Sequence, residues 1–597
     1  MNEENMNDPV SCPASARTIS GSKFAGIAFW FLAVLMLFLN LGIGGLRGSE
    51  GRWADVVRTM FLTGDFLHPM INFEPYFDKP LVSYWAIAAG SALSGGEVTE
   101  LLIRIPSALA GLVSLWATRL IAARYAGKTT GIFAGWILLT VYSFPYWGRL
   151  GEADMLNLAF GTLAVGWYVL KREKNDLFSY LVFGLLCAVG GQTKGLSSVA
   201  VPVLAVLTDL ALSRTWRRHL NWKICLAGAI SLGVYLIPFL LASLKKDYSD
   251  NGLALVYQEN IQRYFNSLDH KQSWYAYFIH LPQLFLPWTP FLILALAAVV
   301  KRWKTADPAD RWLLVTIGAI FLVFSISDSK RVYYILPILP FCAVLTARFL
   351  LSEGNAPLEK IRNILLTVYS WLVPALVIFL LGLAGHGWIR RAKYLKKASS
   401  PEQLVQVLSI ILLSALILLV IWLVFRRLIP ASLFPAGPVG KDFALAAVCS
   451  AVVLIGFFGV LMPQTSETSR TEKKFFLALR RYLDSEKIPD QNVFFFHHNY
   501  SNPSFYLSRA HKIKVLDHEK AKGSAETAAE LQELLKMRSG RPAVVIGQLR
   551  YFRKIQSPAL RQQILDGLNW TEPSGTWENP RKNGKKHAVL LLRENGI

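Results

Sequence analysis

About thirteen apolar runs divide this chain, and the topology they imply puts its unusual charged motifs on one side of a membrane. The runs lie at about 24–46, 101–123, 129–147, 153–170, 177–191, 196–212, 224–243, 280–300, 312–327, 332–350, 363–384, 404–425 and 442–462. A helical span needs roughly 20 apolar residues, and most of these runs approach that length. Only 17% of the residues are charged and 53% are hydrophobic, whereas soluble proteins carry about 25% charge. The expected fold class is therefore a polytopic α-helical membrane protein. Residues 1–23 read as a cytoplasmic tail and 24–462 as a membrane domain with a first outside loop at about 47–100. The run from Phe24 to Leu46 is too long for a signal-peptide core and lacks a clear small-residue cleavage site, so it reads as a retained anchor.

Charge sets the orientation. With the N-terminus inside, every inside loop is basic: Arg124 and Lys128, then Lys171, Arg172 and Lys174, then Arg214, Arg217, Arg218 and Lys223, then Lys301, Arg302 and Lys304, then Lys360 and Arg362, and last Arg426, Arg427 and Lys441. This is the positive-inside pattern. The net charge of +23 is spread over short loops that meet anionic headgroups, so membrane lipids and no nucleic acid are the expected partners. Leu81 to Gly95 is apolar but only about 15 residues long; it reads as a surface or re-entrant segment, and counting it as a span would reverse the next two loops. His386 to Gln403 is an outside loop that is nonetheless basic. It reads either as a topology error or solvated helix, or as a cationic patch for anionic lipid or a phosphorylated acceptor.

After Met462 the texture changes. Asn492–Phe496, Lys512–Leu516, Ala543–Gly547 and His587–Arg593 read as short buried strands, with helical spacing over Glu472–Leu483 and Ala525–Met537. Residues 463–597 are thus an α/β domain outside the membrane, large enough to hold its own core. His497 and His498 follow a strand, where neighbours point to opposite faces, so a structural role is favoured over a metal pair. The five cysteines, Cys12, Cys187, Cys225, Cys342 and Cys449, form no metal-ligand spacing and no disulfide framework.

The outside segments carry the chemistry. The first loop holds Glu50, Asp55 and Arg58, then Tyr76-Phe77-Asp78-Lys79-Pro80, where proline fixes the backbone. Arg104, at the start of a span, is costly unless paired or near the surface. Glu152 and Asp154 open another span, and Lys194 interrupts two apolar runs. Arg263, His270 and Lys271 precede the eighth run, and Lys330, Arg331, Tyr333 and Tyr334 open the tenth. Singly, each is a charge that snorkels at a helix end. Together they set cations that hold phosphate beside carboxylates that activate a nucleophile or bind a cation. Gly127-Lys128-Thr129 is no phosphate loop, because the glycine required five residues before Gly127 is Ala122. With no nucleotide motif, an activated group would arrive already attached to a lipid.

These residues resemble the integral-membrane glycosyltransferases of GT-C fold that use polyprenyl-phosphate sugars. The likeness is nearest to the aminoarabinose–lipid A transferases within the protein O-mannosyltransferase superfamily. The acid-rich loop after the first span is similar to Ser49–Asp55, and the Y-F-[E/D]-K-P motif to Tyr76–Pro80. Further motifs resemble Arg104–Ala108, Ala153–Met155, Thr193–Gly195, Glu259–Tyr277 and Phe324–Leu336. The likeness runs in order over about residues 24–350. It implies an inverting glycosyltransferase, multi-pass in a bacterial inner membrane with its active site facing the periplasm, that moves a sugar from undecaprenyl phosphate to lipid A or another envelope acceptor. A protein acceptor is the alternative within the superfamily, and a lipid-linked sugar transporter or flippase the alternative outside it. A transporter fits less well, since no internal repeat is visible and the charges gather at one face. By the resemblance, catalysis falls to Glu50, Asp55 and Asp154. Substrate binding falls to Tyr76, Asp78, Lys79, Arg104, Lys194, Arg263, His270, Lys330 and Tyr333. No cofactor is implied with certainty; a divalent metal is possible, with unknown ligands. The sequence departs from the family at Ser49-Glu50, where an Asp-Glu pair is common, and at Asp78, where the aminoarabinose branch has Glu. Glu50 is then the expected base, with Asp55 second, and a base is dispensable if the acceptor is an ionised phosphate.

The topology predicts Asp78, Asp154, Lys194, His270, Lys330 and the C-terminus outside. Single cysteines at these positions should react with an impermeant reagent in intact inner-membrane preparations; labelling at 154 only after the membrane is opened overturns the arrangement.

Overall fold

The computed structural model describes residues 15–244, 271–353, 356–389, 401–434, 436–463, 473–496, 501–516, 542–548 and 587–592. Within these the chain is overwhelmingly helical, and each of the thirteen apolar runs is helical over most of its length. Eight helices are long and apolar enough to cross a membrane, or nine if Ala276–Leu284 and Thr289–Lys301, bent by 117°, make one span. The protein is therefore multi-pass, with this count taken by length and composition among the described residues. Gly26–Phe38 and Ser197–Ser213 are shorter apolar helices.

The first elements in chain order are α1 (Ser15–Phe38), α2 (Glu50–Thr63), α3 (Val82–Ala92), α4 (Glu100–Thr140), α5 (Ser143–Gly148), α6 (Asp154–Lys171), α7 (Leu177–Lys194) and α8 (Ser197–Ser213). The runs expected at 101–123 and 129–147 are joined in α4, which is broken at Ala126 and Gly127. Gly127 takes φ +80°, open to glycine, so the Gly-Lys-Thr sequence there marks a helix break. Polar residues start these helices where the sequence offers them: Thr99 accepts from the Leu102 N–H and Asp176 from the Ser179 N–H. The main core lies where α4 packs on α6 and on Leu339–Leu351, with Leu138, Phe144, Trp288, Trp312 and Cys342 fully buried.

The segment 47–100 is more ordered than its polar sequence suggests. It contains α2, α3 and a small antiparallel pair, β1 (Met70–Ile71) and β2 (Glu74–Pro75). Within Leu81–Gly95, α3 is an 11-residue helix, shorter than the roughly 20 residues of a span, packed on α2, α4 and α7. Toward the C-terminus, β3 (Val493–Phe496), β4 (Lys514–Leu516), β5 (Ala543–Gln548) and β6 (His587–Leu592) form one sheet ordered β4-β3-β5-β6. Its first three strands are parallel and β6 is antiparallel to β5. The helix expected over Glu472–Leu483 runs from Lys473 to Ser485. Ala525–Met537, His497 and His498 lie outside the described residues.

The C-terminal region shares its core with the segment after α1: Phe475, Phe476, Leu479, Phe495, Phe505 and Ile546 form one buried cluster with Trp53, Val56, Val57 and Met60 of α2 and Leu81 and Tyr84. Polar contacts reinforce the joint. Asn72 and Ile513 exchange hydrogen bonds, Asn72 Nδ2 to the Ile513 carbonyl at 2.7 Å and the Ile513 N–H to Asn72 Oδ1 at 2.9 Å. Arg58 donates to the Arg509 carbonyl at 2.8 Å, and the Tyr506 hydroxyl accepts from the Leu46 N–H at 2.7 Å.

Gly51 is where α2 meets the helix Ser501–Leu507: a β-carbon there would stand 2.8 Å from the Asn502 backbone nitrogen. Gly51→Ala is expected to destabilise the protein by about 1–3 kcal/mol through overpacking. The check is a lower melting temperature in detergent and faster proteolysis of the C-terminal domain.

Candidate active site

Helix α2 presents its two faces to different surroundings. Ser49, Arg52 and Trp53, spaced one turn apart, face a cleft at one end of the helical bundle. Tyr76, Asp78 and Lys79 reach the cleft from the strand-to-α3 segment, and Tyr84 from α3. Glu152 and Asp154 enter from the start of α6, Lys194 from the end of α7, and Arg331, Tyr333 and Tyr334 from the segment before Leu339–Leu351. The Ser83 hydroxyl donates to the Thr193 carbonyl at 2.9 Å and so ties α3, next to Lys79, to the turn that carries Lys194.

The charges are arranged in two groups. In the first, the Asp78 carboxylate accepts from Lys79 Nζ at 2.9 Å, the Tyr76 hydroxyl at 3.0 Å and the Arg52 guanidinium at 3.3 Å. Burial disfavours its charge, but Lys79 and then Arg52 outweigh this and hold the carboxyl below the usual carboxylate range. Burial, aided by Asp78, pushes the Tyr76 hydroxyl up to about 12. In the second, Asp154 at the N-terminus of α6 is ion-paired with Lys194 at the C-terminus of α7, each at the helix end that suits its charge. Lys194 Nζ stands 4.8 Å and 4.5 Å from the ring centres of Tyr333 and Tyr334, a cation–π pocket. Beside them, Glu152 accepts a 2.5 Å hydrogen bond from the Ser49 hydroxyl. Burial, with the neighbouring Asp154 charge, pushes the Glu152 carboxyl up to about 7.

Six of the twelve residues expected at the site line this cleft: Tyr76, Asp78, Lys79, Asp154, Lys194 and Tyr333. Arg263 and His270, with Glu259 and Asp269 of the same stretch, lie outside the described residues. Lys330 is buried to one side, donating to the Gln272 and Ser327 carbonyls, and its neighbour Arg331 reaches the cleft instead.

Glu50, Asp55 and Arg104 do not line the cleft. Glu50 is fully buried. Its carboxylate takes two bonds from Arg104, at 2.8 Å and 2.9 Å, and one each from the Gly151 and Arg47 N–H groups, at 2.8 Å and 2.7 Å. These bonds outweigh burial and lower the Glu50 pKa. Arg104 spends its other donors on the carbonyls of Leu41, Ile43, Gly44 and Gly45. Asp55, also fully buried, accepts from Arg58 Nε and the Asn72 N–H, each at 2.8 Å. All three acids and bases therefore have complete structural partnerships behind the cleft. The sequence reasoning placed Glu50 by its nearness to the end of the first span, which says nothing of helix phase. The residues it passed over as site members, Ser49, Arg52, Trp53, Tyr84, Glu152, Arg331 and Tyr334, carried one usable signal: 49, 52 and 53 share a face of any helix that begins there. Among the described residues, no group of three or more His, Cys, Asp or Glu stands ready to hold a metal ion.

The family described as dolichyl-phosphate-mannose-protein mannosyltransferase matches residues 78–241, the stretch that supplies half of the residues lining the cleft. An undecaprenyl phosphate-alpha-4-amino-4-deoxy-L-arabinose arabinosyl transferase of Edwardsiella ictaluri is 28% identical over 379 residues, 60% of this chain and 67% of the relative. An uncharacterised protein of Aquifex aeolicus is 30% identical over 358 residues, 59% of this chain and 68% of the relative. The chain belongs to this family of membrane glycosyltransferases. The fold agrees along the whole glycosyltransferase chain: the crystal structure of ArnT from Cupriavidus metallidurans, bound to undecaprenyl phosphate, superposes with a TM-score of 0.68 at 19% identity, covering 96% of this chain and 99% of that one. The expected GT-C architecture is thus the observed one.

Glu50→Gln is expected to act on stability. Breaking a buried ion pair leaves Arg104 without its counter-charge and costs about 3–5 kcal/mol, read as a lower melting temperature in detergent. A variant that melts like the parent yet transfers no sugar would return Glu50 to a catalytic role.

Proposed function

We propose that the protein is an inverting glycosyltransferase that moves a sugar from undecaprenyl phosphate to lipid A or another envelope acceptor at the periplasmic face of a bacterial inner membrane. The observation that carries this reading is the cleft itself. Four cationic side chains, Arg52, Lys79, Lys194 and Arg331, converge there with the carboxylates of Asp78, Glu152 and Asp154, at one end of a bundle of apolar helices. The arabinosyl transferase relatives are named for a donor of this kind, and the ArnT crystal structure holds undecaprenyl phosphate. The basic character of the alternate loops supports an outward-facing cleft.

The chemistry follows from the charges. Donor phosphate is held by charge-assisted hydrogen bonds from lysine and arginine, and the same cations stabilise the negative charge that grows on the phosphate as the sugar leaves. Lys79 and Lys194 are each paired with a carboxylate in the free protein, so they are held in position until a phosphate competes for them. The acceptor oxygen attacks the anomeric carbon from the side opposite the phosphate, a single displacement that inverts the centre. Tyr333 and Tyr334, at the face of Lys194, supply ring surface for a sugar. Glu50, Asp55 and Arg104 position α2 and the loop at Gly151.

Lys79→Ala and Lys194→Ala are each expected to weaken binding of undecaprenyl phosphate to the purified protein tenfold to a hundredfold, about 1.5–3 kcal/mol per charge-assisted contact. Unchanged affinity in both variants would remove the phosphate from this cleft.

A further inference from the structure

The cleft holds three carboxylates, and they are not equivalent. Asp78 is committed to Lys79, Arg52 and Tyr76, and Asp154 to Lys194. Asp78 is thereby a poor proton acceptor, because protonation would forfeit its pairs, and Asp154 has its carboxylate engaged by the Lys194 ammonium. Glu152 differs. Among the described residues its side chain forms no ion pair, and its hydrogen-bond partner is a neutral hydroxyl, Ser49 Oγ. The groups that face it are Ser49 and, deeper, Glu50 from α2, Asp154 on its own turn, Lys194 from α7 and Tyr333 from the opposite wall. Two of these, Asp154 and Glu50, are acids, so a proton on Glu152 relieves repulsion. Burial and Asp154 already place its carboxyl at about 7, in the range where a general base works best. At the position before Glu50, where the family resemblance sets an acid, this chain has Ser49, and the Ser49 hydroxyl is the group that reaches Glu152.

Resting on the function proposed above, we infer that Glu152 is the general base of the transfer, oriented by Ser49, and that the acceptor group is therefore a hydroxyl. The acceptor O–H gives its proton to a Glu152 carboxylate oxygen as the acceptor oxygen bonds to the anomeric carbon. The bond from that carbon to the donor phosphate oxygen breaks, and its electron pair leaves with the lipid phosphate, which gains one negative charge while Glu152 loses one. The proton then passes to water. An ionised phosphate acceptor has no proton to give and would leave Glu152 without work. Ser49 acts through Glu152 and is a positioning residue.

The test uses the full chain in membranes of a strain deleted for it, which hold its own donor and acceptor. Transfer is followed by mass spectrometry of the envelope glycolipids and proteins across pH 5.5–8.5, in steps about the value near 7. In the parent protein the rate should climb with pH below about 7 and level off above it. Glu152→Gln should lower the rate by about 10²–10⁴-fold and abolish the climb, Glu152→Asp should restore part of both, and Ser49→Ala should keep the climb but move it to higher pH, since the Ser49 hydrogen bond favours the ionised form. The product should survive mild acid, as a glycoside does and a glycosyl phosphate does not. Melting temperature and undecaprenyl phosphate binding close to the parent's show that Glu152→Gln is folded; if it is not, the Glu152→Asp and Ser49→Ala profiles decide. Parental rate and pH profile in Glu152→Gln, an unmoved profile in the other two variants, or an acid-labile product overturns the inference. No product from the parent protein sinks the transferase reading itself, and a product with retained donor binding but no role for Glu152 sinks the base alone.

Discussion

The buried pair of Glu50 and Arg104 is the interaction on which the cleft depends. Arg104 gathers the carbonyls at the end of the first membrane helix, from Leu41 to Gly45, while Glu50 gathers the N–H groups of Arg47 and Gly151. The connection from α1 into α2 and the turn before α6, a hundred residues later, are thereby fixed to the start of α4. Charges so deeply buried are tolerated because each is fully hydrogen-bonded. The pair gives little direct stabilisation by itself; its worth is geometric, since it brings Ser49 of one stretch beside Glu152 of another.

The division of labour along α2 follows from that fixation. A helix held on one side by a buried carboxylate and on another by the Asp55–Arg58 pair has only one face left for solvent and substrate. That face carries Ser49, Arg52 and Trp53, and the rest of the cleft is built from residues at helix ends: Asp154 where α6 begins, Lys194 where α7 stops, Tyr333 just before Leu339–Leu351. Helix ends are where unpaired backbone dipoles suit charge and where apolar spans give way to water, so a phosphate site at this level of the bundle needs few special residues.

This explains what could be read in the sequence and what could not. Tyr76, Asp78, Lys79, Asp154, Lys194 and Tyr333 stood out because each is polar within or beside an apolar run, and a span fixes where its ends lie to within a turn. The helical membrane fold was legible for the same reason. Helix phase inside a polar loop was not, and so Glu50 and Asp55, which look more acidic and more exposed in sequence than Ser49 or Arg52, prove to be internal braces. The number of independent crossings was also beyond reach, because a sharp bend after Leu284 alters how an apolar run is used without changing its hydropathy. Nor could the sequence show that the C-terminal sheet shares a core with α2 and α3, since that contact joins residues more than four hundred positions apart.

That shared core has a consequence for biogenesis. Arg58 finds its partner carbonyl at Arg509, 451 residues later, and the apolar side of α2 is covered by aromatic residues made after every membrane helix. During synthesis α2 therefore waits at the membrane surface with Trp53, Val56, Val57 and Met60 uncovered until the last domain is made and, in the proposed orientation, exported. A chain interrupted before the sheet forms already holds every charged side chain of the cleft, but the helix that carries Arg52 and Trp53 is then braced by Glu50–Arg104 and Asp55–Arg58 alone, with its apolar side uncovered.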